Sequence, residues 1–237
     1  MLREFLKAGG EEMVKNILYG VSVGPGDPGH LTLKALNVIK NCPVIASPRT
    51  SSGMIALEII RQVIDLSGKT ILPLDYAMKK DEAVRHTAHE LAANELRKAL
   101  TNGQDVAMLC LGDINIYGSF EYIKASLESE FEIQTIAGVT SFCAAATSLG
   151  ISLTEIDKPL HLIPSSYKLP QENLIGTKIY MKSASHLKAL LQSLENKGTL
   201  DNAILVQNCG MANERVFYGK GAKNAPSDYF SIVIEKE

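Results

Sequence analysis

Apolar residues fall into two rhythms along this chain. Over the first two-thirds, short strand-like segments lie at 17–23, 43–46, 70–73, 105–111 and 131–136, of which 105–111 is a continuous apolar run after Asp105. Runs without polar alternation predict strands buried on both faces of a parallel sheet. Between them the apolar positions adopt a helical spacing. Residues 31, 35, 36, 38 and 39 share one face, and 54–64, 81–99, 120–129 and 141–149 read as further helices. Asp81 is a candidate N-cap for the long third helix, Gly103 lies past its end, and Gly150 stops the alanine-rich fifth. Strand alternating with helix five times predicts an α/β domain with a parallel five-stranded sheet covered on both sides. Right-handed crossovers then gather every strand-to-helix loop on one edge.

After residue 155 the rhythm changes. Strands are expected at 160–164, 178–182, 203–206, 214–218 and 229–234, with one clear helix at 185–196 and turns at Gly210 and Gly219–Gly221. This predicts a smaller α+β domain with a mixed sheet over 156–237, following an N-terminal domain over 1–155 whose first 16 residues form a short charged extension. No low-complexity linker and no internal repeat separates the two, so they are expected to pack closely. The cleft between them is the default ligand site.

Composition narrows the partners. The 237 residues are 46% hydrophobic and 21% charged, with a formal charge of −2. That gives no basic footprint for nucleic acid or a membrane surface. No run reaches transmembrane length, and the first residues lack the apolar stretch and cleavage site of a signal peptide. Cys42, Cys110, Cys143 and Cys209 are far apart, and the first three stand in apolar contexts. Free thiols in a reduced, cytoplasmic protein follow. The absence of Trp argues against a base-stacking surface. His86 and His89 share a helix face but have no third ligand in view; exposed helix residues and no metal site are expected.

Candidate chemistry gathers after three strands. Gly24-Pro25-Gly26-Asp27-Pro28-Gly29 has the spacing of a dinucleotide fingerprint. Yet Pro25 and Pro28 remove two N–H donors that a pyrophosphate needs, and Asp27 adds a negative charge there. No acid closes the next strand, and Arg49 lies in the polar loop 47–53 that follows it, which leaves a 2′-phosphate cofactor as the last option. A site for some other ligand ranks first and a plain turn second. The fourth strand ends in Leu111-Gly112-Asp113-Ile114-Asn115-Ile116-Tyr117-Gly118, and the fifth in Gly138-Val139-Thr140-Ser141 leading into a helix. All three loops are expected on the same sheet edge.

Together these residues resemble the tetrapyrrole (corrin/porphyrin) methylases. The resemblance rests on Gly-Pro-Gly-Asp-Pro after the first strand, Gly-Asp-x-x-x-Tyr-Gly after the fourth and Gly-Val-Thr-Ser after the fifth. It covers about residues 17–237. Within the family, Pro73 to Asp81 looks most like the enzymes that methylate carbon 20 of precorrin-2 or cobalt-factor II. Two positions depart from the pattern: Ile114 and Ala137 stand where the family usually has proline. The resemblance implies a two-domain tetrapyrrole methylase fold, an S-adenosylmethionine-dependent methyltransferase of the cobalamin pathway, release of S-adenosylhomocysteine, and a homodimer. It places the donor against Leu111, Gly112, Asp113, Ile116, Tyr117, Thr140 and Ser141 of the first domain and Met181, Asn208, Cys209, Gly210 and Met211 of the second. It places the macrocycle against Gly24, Pro25, Gly26, Asp27 and Pro28.

A substrate rimmed with carboxylates needs local positive charge, for which Arg49, Lys79, Lys80 and Arg85 are the candidates. Asp113 is the candidate catalytic residue, as a base for the departing proton or as a carboxylate that orients the donor. That Asp113 only ties down its own turn is an equal alternative. Three other readings stay open: a sister enzyme with another target carbon, a non-catalytic tetrapyrrole binder, and an NAD(P) oxidoreductase.

Overall fold

The computed structural model describes residues 16–75, 82–165 and 174–237. Most of the N-terminal extension, Met78, Lys79, Lys80 and the proposed cap Asp81 lie outside the described residues. The first lobe runs β1 (Ile17–Ser22), α1 (Leu33–Asn41), β2 (Val44–Arg49), α2 (Ile55–Arg61), β3 (Thr70–Asp75), α3 (Glu82–Thr101), β4 (Val106–Cys110), α4 (Phe120–Leu127), β5 (Glu132–Ile136) and α5 (Ser141–Leu149). The second runs β6 (Leu160–Pro164), β7 (Thr177–Met181), α6 (Leu187–Asn196), β8 (Ala203–Gln207), β9 (Arg215–Tyr218) and β10 (Ser231–Glu235).

The first sheet has strand order β3-β2-β4-β1-β5, every pair parallel. On one face Leu96, Leu100, Phe120, Ile123 and Leu127 of α3 and α4 pack on Leu18, Val106 and Met108. On the other, Ala35, Ile39, Leu57 and Ile60 of α1 and α2 pack on Val21, Ile45 and Leu109. The unbroken apolar runs are explained: both faces of β1 and β4 are covered, so neither can carry polar alternation. The order also sets β1 beside β4 at the centre, with their carboxyl ends together.

The second sheet, β6-β7-β10-β8-β9, is mixed. β6 and β7 are parallel, while β10 lies antiparallel to both β7 and β8. Four leucines of α6, Leu187, Leu190, Leu191 and Leu194, cover one face. At about 1.5–3 kcal/mol for each fully buried leucine, they are the main force holding that helix. The opposite face is covered by α5, whose Phe142, Ala144 and Ala145 pack on Ile179, Val206, Ile232 and Ile234. Thus α5 starts at the ligand edge of one sheet and lies on the other, joining the two lobes.

Several sequence expectations shift. β2, expected over 43–46 with a polar loop at 47–53, continues through Ser47 and Pro48 to Arg49. β4 pairs only with Val44–Ala46, and beyond that β2 has β3 alone as neighbour, so a missing proline N–H is tolerated. The first helix starts later, because Thr32 caps it by accepting the Ala35 N–H at 3.1 Å. The helix expected over 54–64 covers only Ile55–Arg61. His89 is not an exposed helix residue: it is 7% exposed and stacks on Tyr122 with ring centroids 4.8 Å apart. Cys143, expected in an apolar setting, is exposed; all four cysteines are free. Among the described residues no helix is long and apolar enough to cross a membrane, and no cluster of three or more His, Cys, Asp or Glu could hold a metal.

Candidate functional site

The turns after β1 and β4 are stitched to each other. Gly24 N donates to Gly112 O at 3.2 Å, and Gly112 N donates back to Gly24 O at 2.8 Å. One step further, Ile114 N donates to the buried Ser22 Oγ at 2.9 Å. Ile114 stands where proline was expected, and a proline would have no N–H for this bond. The departure is therefore coupled to Ser22, a residue that sequence reasoning passed over.

Asp113 joins the third loop to these two. Its Oδ2 accepts the Gly138 N–H at 2.7 Å, and its Oδ1 accepts the Asn115 N–H at 2.8 Å. A Cβ on Gly138 would lie 2.4 Å from Ser22 Cβ and 2.9 Å from Gly112 O, so only glycine lets the β5 loop approach this closely. Thr140 then caps α5 by accepting the Cys143 N–H at 3.3 Å, with Ser141 opening the helix. The loops after β1, β4 and β5 thus form one backbone-bonded unit.

The second lobe closes on that unit. A Cβ on Gly26 would meet Cys209 O and Gly210 C, each at 2.7 Å, and Met211 Cγ at 2.8 Å. Gly210, at φ +76°, reciprocally faces the Asp27 N–H. The loop 208–211 is held from both sides. Glu214 accepts from Gly210 N at 2.6 Å and from Ser148 Oγ of α5 at 2.5 Å. Asn208 Nδ2 donates to Asp228 Oδ2 at 2.8 Å. Met181, at the end of β7, has its carbonyl fixed by Ser165 N at 2.8 Å and Ser165 Oγ at 2.9 Å. Tyr117 reaches across the seam and donates to Leu162 O at 3.3 Å.

Three non-glycine residues have positive φ among the described residues: Tyr117 at 52°, Lys182 at 55° and Asn208 at 55°. Lys182 and Asn208 directly follow β7 and β8, and Tyr117 lies in the loop after β4. Strained backbone concentrated in one place marks where a fold has been constrained for something other than stability.

The sequence-expected residues divide accordingly. Leu111, Gly112, Asp113, Ile116, Tyr117, Thr140 and Ser141 line the first lobe's edge, and Met181, Asn208, Cys209, Gly210 and Met211 line the second lobe's. Gly24, Pro25 and Gly26 are buried within the seam, whereas Asp27 is exposed and caps a short 3-10 turn by accepting Gly29 N–H at 2.7 Å. Arg49 is not free for an anion: it makes a bidentate pair with Asp75, both bonds at 2.7 Å. A groove of about 880 Å³ between β3 and α3, lined by Pro73, Leu91, Arg97 and Thr101, holds none of the three loops. Ser22, Ser165, Glu214 and Asp228 carried no sequence signal, because each acts through a partner distant in the chain or through backbone.

The electrostatics leave little side-chain chemistry at the edge. Burial, and then the Asp113 charge, push the Cys110 thiol up to about 12. Burial, and then Glu214, push Cys209 up to about 12. Both are neutral thiols at physiological pH and poor nucleophiles. What remains along this edge is backbone amides and carbonyls, suited to holding a flexible polar molecule whose reactivity is its own.

Residues 17–223 match the family model described as Tetrapyrrole (Corrin/Porphyrin) Methylases. A protein named probable cobalt-precorrin-2 C(20)-methyltransferase, from Methanocaldococcus jannaschii, is 34% identical over 234 residues, which cover 95% of this chain and 97% of that one. A precorrin-2 C(20)-methyltransferase from Sinorhizobium sp is 26% identical and covers 92% of this chain and 94% of its own. Among solved structures, a cobalt precorrin-4 methyltransferase matches with TM-score 0.74 at 20% identity, over 93% of this chain and 94% of its own. A Thermus thermophilus uroporphyrin-III C-methyl transferase complexed with S-adenosyl homocysteine matches with TM-score 0.67 at 19% identity, over 94% and 92%.

Proposed function

The chain belongs to the tetrapyrrole (corrin/porphyrin) methylases, and from that premise we propose that it transfers a methyl group from S-adenosylmethionine to carbon 20 of precorrin-2 or its cobalt form, in cobalamin biosynthesis. One observation carries the reading. Three first-lobe loops are bonded into a unit through Gly24, Gly112, Asp113 and Gly138, and Gly26 seats them against Cys209–Met211 of the second lobe. The choice of carbon 20 is supported by the near full-length similarity to the Methanocaldococcus protein.

The residues fit such a donor. Bare backbone at Gly26 and Gly138 brings the loops close, and neutral thiols leave no competing nucleophile. S-adenosylmethionine supplies a methyl group already activated on a sulfonium. The chain's own task is therefore alignment in a crevice that excludes water. Positioning of this kind can supply on the order of 7–11 kcal/mol. Leu111, Gly112, Ile116, Thr140, Ser141, Met181, Asn208 and Met211 hold the donor. The macrocycle lies on the Asp27–Pro28 side. Asp113 acts as a positioning residue: its two oxygens are committed to the N–H groups of Asn115 and Gly138. The carbon-20 proton leaves after methyl transfer, and Asp113 as its acceptor is the alternative that the Asp113 variants below decide. We also read the protein as a cytoplasmic homodimer, for which light scattering of the purified chain is the check.

The test is transfer of isotope from methyl-labelled S-adenosylmethionine, with precorrin-2 and cobalt-precorrin-2 offered separately. Label at carbon 20 is expected. Label at another carbon makes it a sister enzyme. Tight binding without transfer makes it a carrier.

A further inference from the structure

His30 closes the short 3-10 turn that follows β1, and its N–H donates to Asp27 O at 3.0 Å. Its Cβ lies 2.8 Å from the point that a Cβ on Gly24 would occupy. The stem of the side chain therefore leans on the same glycine that exchanges two hydrogen bonds with Gly112. Bare backbone at Gly24 makes room for it, and the imidazole is set beside the junction of the β1 and β4 turns.

The ring stands there without a protein partner. Nδ1 is buried and makes no hydrogen bond. Among the described residues no hydrogen bond or ion pair engages Nε2 either. Nε2 is not shut in as Nδ1 is, and the residue as a whole is partly exposed. Other histidines of the chain are engaged. His89 stacks on Tyr122, and His161 Nε2 is bonded to Ile175 O at 2.9 Å. A histidine that served the fold alone would pair its shut-in nitrogen, because a buried polar atom left alone costs free energy. His30 is fixed by its stem and leaves Nε2 open at the ligand edge.

We propose that His30 presents Nε2 as an axial ligand to the metal of a metallated tetrapyrrole, and so makes the chain prefer the cobalt form of its substrate. The proposal rests on the methyltransferase reading, which lays the macrocycle on the Asp27–Pro28 side. Only Gly29 separates that side from His30 in the chain. The Nε2 lone pair forms the bond to the metal, Nδ1 keeps the ring proton, and nothing is oxidised or reduced. Imidazole is a good ligand for divalent transition metals. A metal-free macrocycle offers Nε2 no such bond, so one contact separates the two forms.

The experiment titrates the full chain with precorrin-2 and cobalt(II)-precorrin-2, without methyl donor and with oxygen excluded. Absorption follows binding, and electron paramagnetic resonance reads the cobalt. Wild type is expected to bind the cobalt form about tenfold or more tightly than the metal-free form. Its cobalt spectrum should carry superhyperfine splitting from an axial nitrogen. His30→Leu is expected to erase that splitting and bring the two affinities within about twofold of each other. A wild type without the splitting, or a splitting that survives in His30→Leu, overturns the proposal. Should His30→Leu not fold, the wild type grown with isotopically labelled histidine decides: a splitting that the label leaves unchanged overturns it as well. Methyl transfer to carbon 20 without axial ligation fails the proposal and leaves the function standing. Axial ligation with transfer to another carbon, or with none, keeps the His30 bond and loses the carbon-20 assignment. Binding of neither form removes both.

Discussion

Removing the Asp113 carboxylate separates its two roles. In the folded chain Oδ2 accepts from Gly138 N at 2.7 Å and Oδ1 from Asn115 N at 2.8 Å. Hydrogen bonds to a charged acceptor contribute about 1.5–3 kcal/mol each. The Asn115 end is solvent-exposed and falls at or below the low limit. The Gly138 end is partly buried, and its N–H would be left without a partner. Together these give about 2–4 kcal/mol lost in Asp113→Ala, or a fall in Tm of roughly 4–16 °C for a chain of this size. The β5 loop then no longer docks on the β4 loop, so affinity for S-adenosylhomocysteine should drop about tenfold or more. Asp113→Asn keeps one acceptor oxygen and should recover part of both losses. The assay pairs thermal melting with calorimetric titration and single-turnover methyl transfer. A variant with wild-type Tm and wild-type donor affinity but a transfer step slowed about 100-fold would refute the positioning argument and make Asp113 the proton acceptor.

Other perturbations read other joints. Gly26→Ala places a Cβ 2.7 Å from Cys209 O and Gly210 C; a cost of about 1–3 kcal/mol is expected by denaturant melting, together with weaker S-adenosylhomocysteine binding. Ile114→Pro restores the family residue yet should destabilise by about 1–3 kcal/mol, because it deletes the N–H bonded to buried Ser22; a proline variant as stable as wild type would show that bond to be dispensable. Burial, and then the charges of Arg85 and His86, lower the His89 pKa below its usual 6.5. A neutral histidine favoured by folding contributes stability above about pH 6.5 that is lost as pH falls below it. His89→Phe, which retains a ring against Tyr122, should therefore show a shallower acid fall in Tm than wild type.

Much of this architecture is legible in the chain itself. The strand over Leu160–Pro164 and the helix over Ser141–Leu149 match the periodic reading at both ends. Their signals are local: an apolar run before a proline, and an alanine-rich stretch between Thr140 and Gly150. The strand expected over 43–46 falls short of β2 because 47–53 reads as a polar loop, and only the lopsided pairing beyond Ala46 explains why the strand continues. The three loops could be placed on one edge from topology alone. Their fastening could not, since Asp113 and Gly138 are separated by 25 residues. Arg49 was attractive as an anion contact, but its partner Asp75 lies on a neighbouring strand rather than nearby in the chain. Lys182 gives no clear local sign of its left-handed backbone, because part of the restraint comes from Ser165, which holds the Met181 carbonyl from 16 residues away.

Hydrogen exchange of the full chain with and without S-adenosylhomocysteine tests most directly whether both lobes hold the donor. Simultaneous protection of 111–118, 138–143, 181–183 and 208–211 is the predicted result, with the groove between β3 and α3 unchanged. Protection confined to one lobe, or to that groove, would contradict the account.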